Sequence, residues 1–148
     1  MFGSTPTSTT IVSFNSEALG IATRAIWPLR RAAESETFGA EAGVLLSMAL
    51  LATNNSEDAI DAASKVLERD PGNAGALFAR GRALLGAKRE EEALDDIEAY
   101  VDRMPEEPQG RLVQIGLLVM LSRIDEAEAA IADAAPLFES LVDEQPEQ

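Results

Sequence analysis

The sequence predicts an all-α protein built from stacked pairs of antiparallel helices. The first observation is a 34-residue period in which residues of the same chemical type recur. The columns include Ala25, Ala59, Ala93 and Ala127, and also Leu50, Leu84 and Leu118. The second observation is that each period holds two amphipathic helical patterns separated by turn residues. About seven helices would account for the 148 residues.

Residues 74–107 show the pattern most clearly. Apolar and small residues recur on one helical face at Leu77, Phe78, Gly81, Leu84 and Leu85. Asn73 is expected to cap this helix. A second helix is expected from Glu90, because acids stabilise the positive end of a helix dipole. Pro105 then ends the unit, since the residue before a proline avoids helical geometry.

The neighbouring units, residues 40–73 and 108–135, repeat this organisation, the latter in degenerate form. Ser56 is expected to cap the second helix of the earlier unit. In the later unit, Asp125 with Glu128 resembles a capping box.

Small residues are expected wherever the two helices of a unit cross closely. Ser47 would face Ala59, and Gly81 would face Ala93. A bulky residue at either alanine is expected to cost about 1–3 kcal/mol.

The two ends are expected to differ from the repeats. Residues 1–15 carry no charge and are predicted to be a flexible segment, whereas residues 16–35 are predicted to form a capping helix kinked at Pro28. Residues 136–148 are predicted to form a short helix and an acidic tail, with Pro136 breaking the preceding helix. Trp27 is expected to pack at the cap or, alternatively, to be an exposed anchor.

Composition excludes most site chemistries. The chain holds 12 Lys+Arg against 26 Asp+Glu, a net charge of −14, which disfavours nucleic-acid binding. It contains no Cys and no His, which removes thiolate and imidazole metal sites and Ser-His-Asp triads. The acids between Glu90 and Asp102 are predicted to be a solvated helix face rather than a Ca²⁺ or Mg²⁺ site. We therefore expect no enzyme activity and no cofactor.

The sequence gives no sign of membrane insertion or export. The longest apolar run, 42–52, is shorter than the roughly 20 residues of a membrane span, and no secretory leader pattern is present. We expect a cytoplasmic protein. The preference for Arg over Lys and the abundance of Ala indicate a GC-rich bacterial genome.

Residues 74–105 resemble a tetratricopeptide repeat, through Leu77, Gly81, Leu84, Ala93, Ile97, Tyr100 and Pro105. Residues 40–71 resemble a second copy, through Val44, Leu46, Ser47, Leu50, Ala59, Ala63, Val66 and Pro71. The third copy departs from the family at Ile115, where a small residue is usual, and it lacks the closing proline. Arg80 also departs, because that position is normally apolar. The resemblance implies a right-handed α-solenoid whose first helices line a concave groove.

Carried over from the family, the groove positions predict a binding site for a protein partner. The predicted contact residues are Val44, Leu45, Met48, Leu51, Phe78, Arg82, Leu85, Leu112 and Gly116. The Lys and Asn that clamp a terminal carboxylate in some family members are absent. Because most of these residues are apolar, we expect an adaptor that binds a helical or apolar segment, with Arg82 pairing with an acid.

Two other functions remain open. One is a small acidic chaperone, of the secretion or assembly type, that shields an apolar client. The other is a self-associating structural protein, including a homodimer, joined through Trp27 or Phe138. Residues 1–15, which include Ile11, Val12 and Phe14, would in a further alternative occupy the groove of their own chain.

Overall fold

The computed structural model describes residues 8–143, with the side chains of residues 16–140 and 142. In this range the chain forms seven helices and no strand, which confirms the all-α prediction. The helices are α1 (Ser8–Ala33), α2 (Gly39–Ala52), α3 (Ser56–Arg69), α4 (Ala74–Gly86), α5 (Glu90–Arg103), α6 (Pro108–Met120) and α7 (Ile124–Asp143).

The helices stack in chain order as an α-solenoid of antiparallel pairs. Each helix packs against the next along the chain, and α2 also packs directly against α4. This direct contact between first helices is not repeated between α4 and α6 at the same level. The core runs through α2 to α7, and its most deeply buried large side chains are Leu94, Ile97, Leu117 and Leu118.

Small residues stand where the helices of a pair cross. Ser47 and Ala59 are both fully buried, and the Ser47 hydroxyl donates to the Ala59 carbonyl at 2.7 Å. A Cβ on Gly81 would lie 2.8 Å from Cδ1 of Ile97 and 3.4 Å from the Ala93 carbonyl oxygen. The predicted close crossings in the first two units are therefore confirmed.

Each first helix ends in the same way. Asn54, Lys88 and Ser122, spaced 34 residues apart, have positive φ angles of 65°, 63° and 59°. In each case the next amide donates back to a leucine carbonyl, as in the 2.9 Å bond from Asn55 to Leu50. These bonds form a Schellman motif, which satisfies carbonyls at the helix end. A left-handed residue is favourable for Asn but costs energy at Lys88 and Ser122.

The predicted helix caps are correct at one position out of three. The Asn73 side chain accepts from the Ala76 amide at 2.9 Å, as expected. At α3 the N-cap is Asn55 rather than Ser56, and its side-chain amide donates to Thr53 instead of capping. No capping box forms at Asp125, because α7 already begins at Ile124.

The two prolines do not end their helices. α1 continues through Pro28, and α7 continues through Pro136 to Asp143, so the expected separate terminal helix is absent. Both prolines are exposed to solvent. The carbonyl that each proline leaves unpaired can therefore bond to water, which lowers the cost of the lost helical hydrogen bond. α1 also begins at Ser8, within the segment expected to be flexible.

Candidate functional site

The first helices of the three units present one face in common register. Met48, Arg82 and Gly116 occupy the same repeat position, and all three are exposed. The 34-residue spacing therefore aligns equivalent side chains from α2, α4 and α6 in columns across the array. The predicted contact residues lie in these columns.

The predicted contact residues separate into two groups by exposure. Leu45, Met48, Arg82, Leu112 and Gly116 are exposed, with Leu45 at 53% and Leu112 at 57%. The half-buried group packs against the core and consists of Val44, Leu51, Phe78 and Leu85. Thus Leu45, Met48 and Leu112 supply most of the exposed apolar surface, whereas the half-buried group packs on the core.

An aromatic pair fixes the centre of this face. The Phe78 and Tyr100 ring centroids lie 4.8 Å apart, and the Arg82 guanidinium carbon lies 5.8 Å from the Phe78 ring centroid. Burial raises the pKa of Tyr100, so its phenol stays neutral. Gly110 allows α6 to approach, because a Cβ there would lie 2.6 Å from the Tyr100 ring. Phe78 therefore serves packing between units as well as the predicted face.

The polar residue that departs from the family pattern, Arg80, has a buried partner. Its Nε and Nη2 each donate to an Asp96 carboxylate oxygen at 2.7 Å, and Asp96 is only 6% exposed. The hydrogen bonds to Asp96 raise the Arg80 pKa, so the guanidinium remains charged. The first unit has Leu46 and Ala62 at the same two positions. An ion pair thus replaces an apolar contact at one crossing.

A second set of ion pairs follows the repeat. Arg123 forms a two-pronged pair with Glu126, at 2.6 and 2.8 Å, and also lies 3.8 Å from Glu91 of the preceding unit. Arg89 repeats this pattern one unit earlier, with Glu92 and Glu57. The hydrogen bonds from the two arginines lower the pKa of Glu92 and of Glu126. These pairs link successive second helices at the surface, where each contributes little stability.

Sequence reasoning missed a cleft of about 520 Å³ that opens between α1 and α3 over α2. Its floor includes Gly39 and Gly43, and the Arg30–Asp58 ion pair of 3.2 Å lies on its rim. Gly43 holds the repeat position that Leu77 fills in the next unit. Gly43 lets α3 approach α2 closely, because a Cβ there would lie 2.5 Å from Cγ2 of Val66, so this position does not account for the volume of the cleft.

The predicted residues at the two ends differ in exposure. Trp27 is 68% exposed, so the expectation that it packs at the cap is wrong and the alternative of an exposed side chain holds. Phe138 is half-buried. The side chains of Ile11, Val12 and Phe14 lie outside the described side chains. The idea that residues 1–15 occupy the groove stays a prediction.

Among the described residues, no cluster of three or more carboxylates is arranged to hold a metal ion. None of the described helices combines the length and the apolar character needed to cross a bilayer.

Comparisons with known proteins agree with the geometry. Residues 44–108 match a tetratricopeptide repeat family model. A crystal structure of MamA shares the fold with a TM-score of 0.75 at 19% identity, covering 91% of this chain and 80% of that one. A MamA fragment from Desulfovibrio magneticus RS-1 gives 0.68 at 20% identity, covering 86% and 71%. A MamA double mutant gives 0.74 at 20% identity, covering 83% and 69%. No curated protein matches the sequence.

Proposed function

Because this chain carries tetratricopeptide repeats, we propose that it is a protein-interaction scaffold that binds a helical or apolar segment of a partner along the aligned face of α2, α4 and α6. The observation that carries the proposal is that one repeat position, held by Met48, Arg82 and Gly116, is exposed on all three first helices. Repeats of this kind form extended binding surfaces because equivalent positions line up along the array.

Apolar contact is the main attraction that this face offers. Leu45 and Met48, one turn apart on α2, and Leu112 on α6 each expose about half of their surface. Exposed apolar side chains that adjoin one another support a binding surface, whereas single ones are ordinary. Met48 has a flexible and polarisable side chain that adapts to different ligand shapes.

Arg82 places a positive charge on this apolar face. Its guanidinium lies against the Phe78 ring and is exposed to solvent. An acidic residue on the ligand would pair with it at the centre of the apolar surface, where partial desolvation strengthens the contact. We therefore expect ligands with apolar residues at helical spacing and one carboxylate between them.

A displayed library of helix-forming peptides tests the proposal. The wild-type chain is expected to enrich peptides with an apolar stripe and an acid. Met48→Glu and Leu112→Glu place a charge on the exposed surface, so each is expected to weaken binding of the enriched peptides at least tenfold. These residues are better probes than Phe78, whose replacement would also remove the contact with Tyr100.

Met104→Glu is the matched control, because Met104 is an exposed methionine outside the first helices. It is expected to bind the peptides as the wild type does. Binding that survives both groove substitutions, or that Met104→Glu weakens equally, would refute the assignment. Circular dichroism of all variants checks that helicity is unchanged.

The same proposal includes a cytoplasmic location and protein rather than nucleic-acid partners. The net charge of −14 supports the second point, because phosphate backbones would be repelled.

A further inference from the structure

The last helix leaves an apolar stripe uncovered. Ile124, Ile131 and Val142 are exposed, and the half-buried Phe138 lies on the same side of α7 by helical spacing. The exposure of Ile131 is the most informative of the four. It is 52% exposed, whereas Ala63 and Ile97, which hold the same repeat position, are 0% exposed. In the second unit this position is covered within its own helix pair, because Ile97 packs against Gly81 of α4, whereas the third unit has Ile115 at the position of Gly81. The C-terminal stripe, defined by these four residues, is thus an apolar surface that the described residues leave uncovered.

The first helix has an exposed face at the opposite end of the array. Trp27 lies between Arg24 and Arg31 at spacings of three and four residues, and the three share one exposed face with Ile21 beside them. The Arg31 guanidinium carbon lies 5.6 Å from the Trp27 ring centroid. We call these four residues the N-terminal stripe. No unit precedes it within the described residues, so it also lacks a neighbour on this side.

The two stripes are electrostatically complementary. Residues 124–148 contain eight acids and no base, and Glu128 and Glu139 adjoin the C-terminal stripe by helical spacing. The N-terminal stripe carries two arginines, which form no salt bridge among the described residues, whereas Arg30 already pairs with Asp58. α1 and α7 do not pack against each other in one molecule. The opposite charges of the two stripes therefore do not meet within one molecule, and a second copy supplies both.

We propose that this chain associates head to tail, with the N-terminal stripe of one copy packing on the C-terminal stripe of the next. Trp27 packs against Ile131 and Phe138 at the centre, and Arg24 and Arg31 face Glu128 and Glu139 at the edges. Because the two stripes are different surfaces, the contact is heterologous and leaves one free stripe at each end. The assembly is therefore open-ended and grows with concentration.

Sedimentation velocity of the full chain over a concentration series is the test. The average mass of the wild type is expected to rise beyond that of a dimer, and the rise is expected to shrink at high salt, because salt screens the charge pairs. Trp27→Glu and Ile131→Glu each remove one stripe, so each is expected to remain monomeric alone.

Mixing the two variants separates this contact from a symmetric dimer. Trp27→Glu keeps an intact C-terminal stripe, and Ile131→Glu keeps an intact N-terminal stripe. Their equimolar mixture is therefore expected to form dimers that stop growing. A symmetric dimer through one stripe predicts instead that one variant still dimerises alone and that the mixture gains nothing.

Met104→Glu is the matched control, because Met104 is exposed and lies outside the groove and both stripes. It is expected to assemble as the wild type does. A wild type that stays monomeric at every concentration, or a mixture that forms no dimer, would overturn the proposal. Equal loss of assembly in Met104→Glu would do the same. The charge pairing is checked separately with Glu128→Arg, which is expected to weaken assembly and to be rescued when the same chain also carries Arg24→Glu.

Discussion

The ion pair between Arg80 and Asp96 allows an unusually direct stability test. The first unit has Leu46 and Ala62 at the same two positions, both nearly fully buried. Arg80→Leu with Asp96→Ala therefore copies the first unit's apolar pair into the second unit. The two single substitutions each leave one charged partner behind, which makes a complete double-mutant cycle.

The magnitudes follow from the burial of each partner. The Asp96 side chain is 8% exposed, so Arg80→Leu leaves a carboxylate without its cation in a site that water barely reaches. We expect a loss of about 2–4 kcal/mol in the free energy of unfolding. The Arg80 side chain is 30% exposed and can turn to solvent, so Asp96→Ala is expected to cost only about 1–2 kcal/mol. The double variant is expected to lie within about 1 kcal/mol of the wild type, because an apolar pair can replace a buried ion pair.

Urea denaturation followed by circular dichroism measures the four free energies of unfolding. The expected coupling between the two positions is about 3–6 kcal/mol, the sum of the two single losses that the double variant avoids. Arg80→Lys is a useful companion, because it keeps the charge and loses the two-pronged geometry, so it should fall between the wild type and Arg80→Leu. If the double variant loses the sum of the two single effects, the two residues do not act as a pair and the reasoning fails.

Three further predictions concern single positions. Lys88→Gly is expected to raise the free energy of unfolding by about 0.5–1 kcal/mol, because Lys88 has a positive φ angle that glycine adopts without steric cost. The midpoint of urea denaturation measures this change. Gly81→Ala is expected to lower the free energy of unfolding by about 1–2 kcal/mol, because the added methyl group would collide with Ile97. Gly116→Ala is expected to raise it, because the methyl group there meets open space and alanine favours a helix. An unchanged stability of Gly81→Ala would contradict the close crossing. Burial raises the pKa of Glu98 in the folded state, so its contribution to stability is present at low pH and is lost as pH rises through that pKa. Glu98→Gln should therefore melt higher than the wild type at neutral pH but not in acid, as thermal melts across pH would show.

The repeat organisation could be predicted because packing imposes it on the sequence. A fully buried position accepts few residue types, so Ala59 and Ala93 recur and mark the register. The Asn73 cap was predictable for a similar reason, since its side chain bonds locally to the helix that follows it.

Other features depend on contacts that local patterns do not contain. Asn55 could cap α3, but its amide bonds to Thr53 instead, and the sequence allows both arrangements. Pro28 and Pro136 were expected to disturb their helices, yet both lie on exposed sides where water can take the lost bond. The exposure of Trp27 depends on which side of α1 other helices cover, and the sequence of α1 alone does not indicate this. The repeat register identifies the groove positions, but only the burial of each side chain in the structure separates the exposed residues from the half-buried ones.

The direct packing of α2 on α4, which α4 and α6 do not repeat, has a mechanical consequence. Two first helices in contact resist changes in the angle between their units, so the first two units are expected to move as one stiff block. The third unit is tied to that block through α5, and it can tilt with less resistance. Any change in the curvature of the binding face is therefore expected between the second and third units. A ligand that contacts both Met48 and Leu112 would therefore fix the angle between the third unit and the first two.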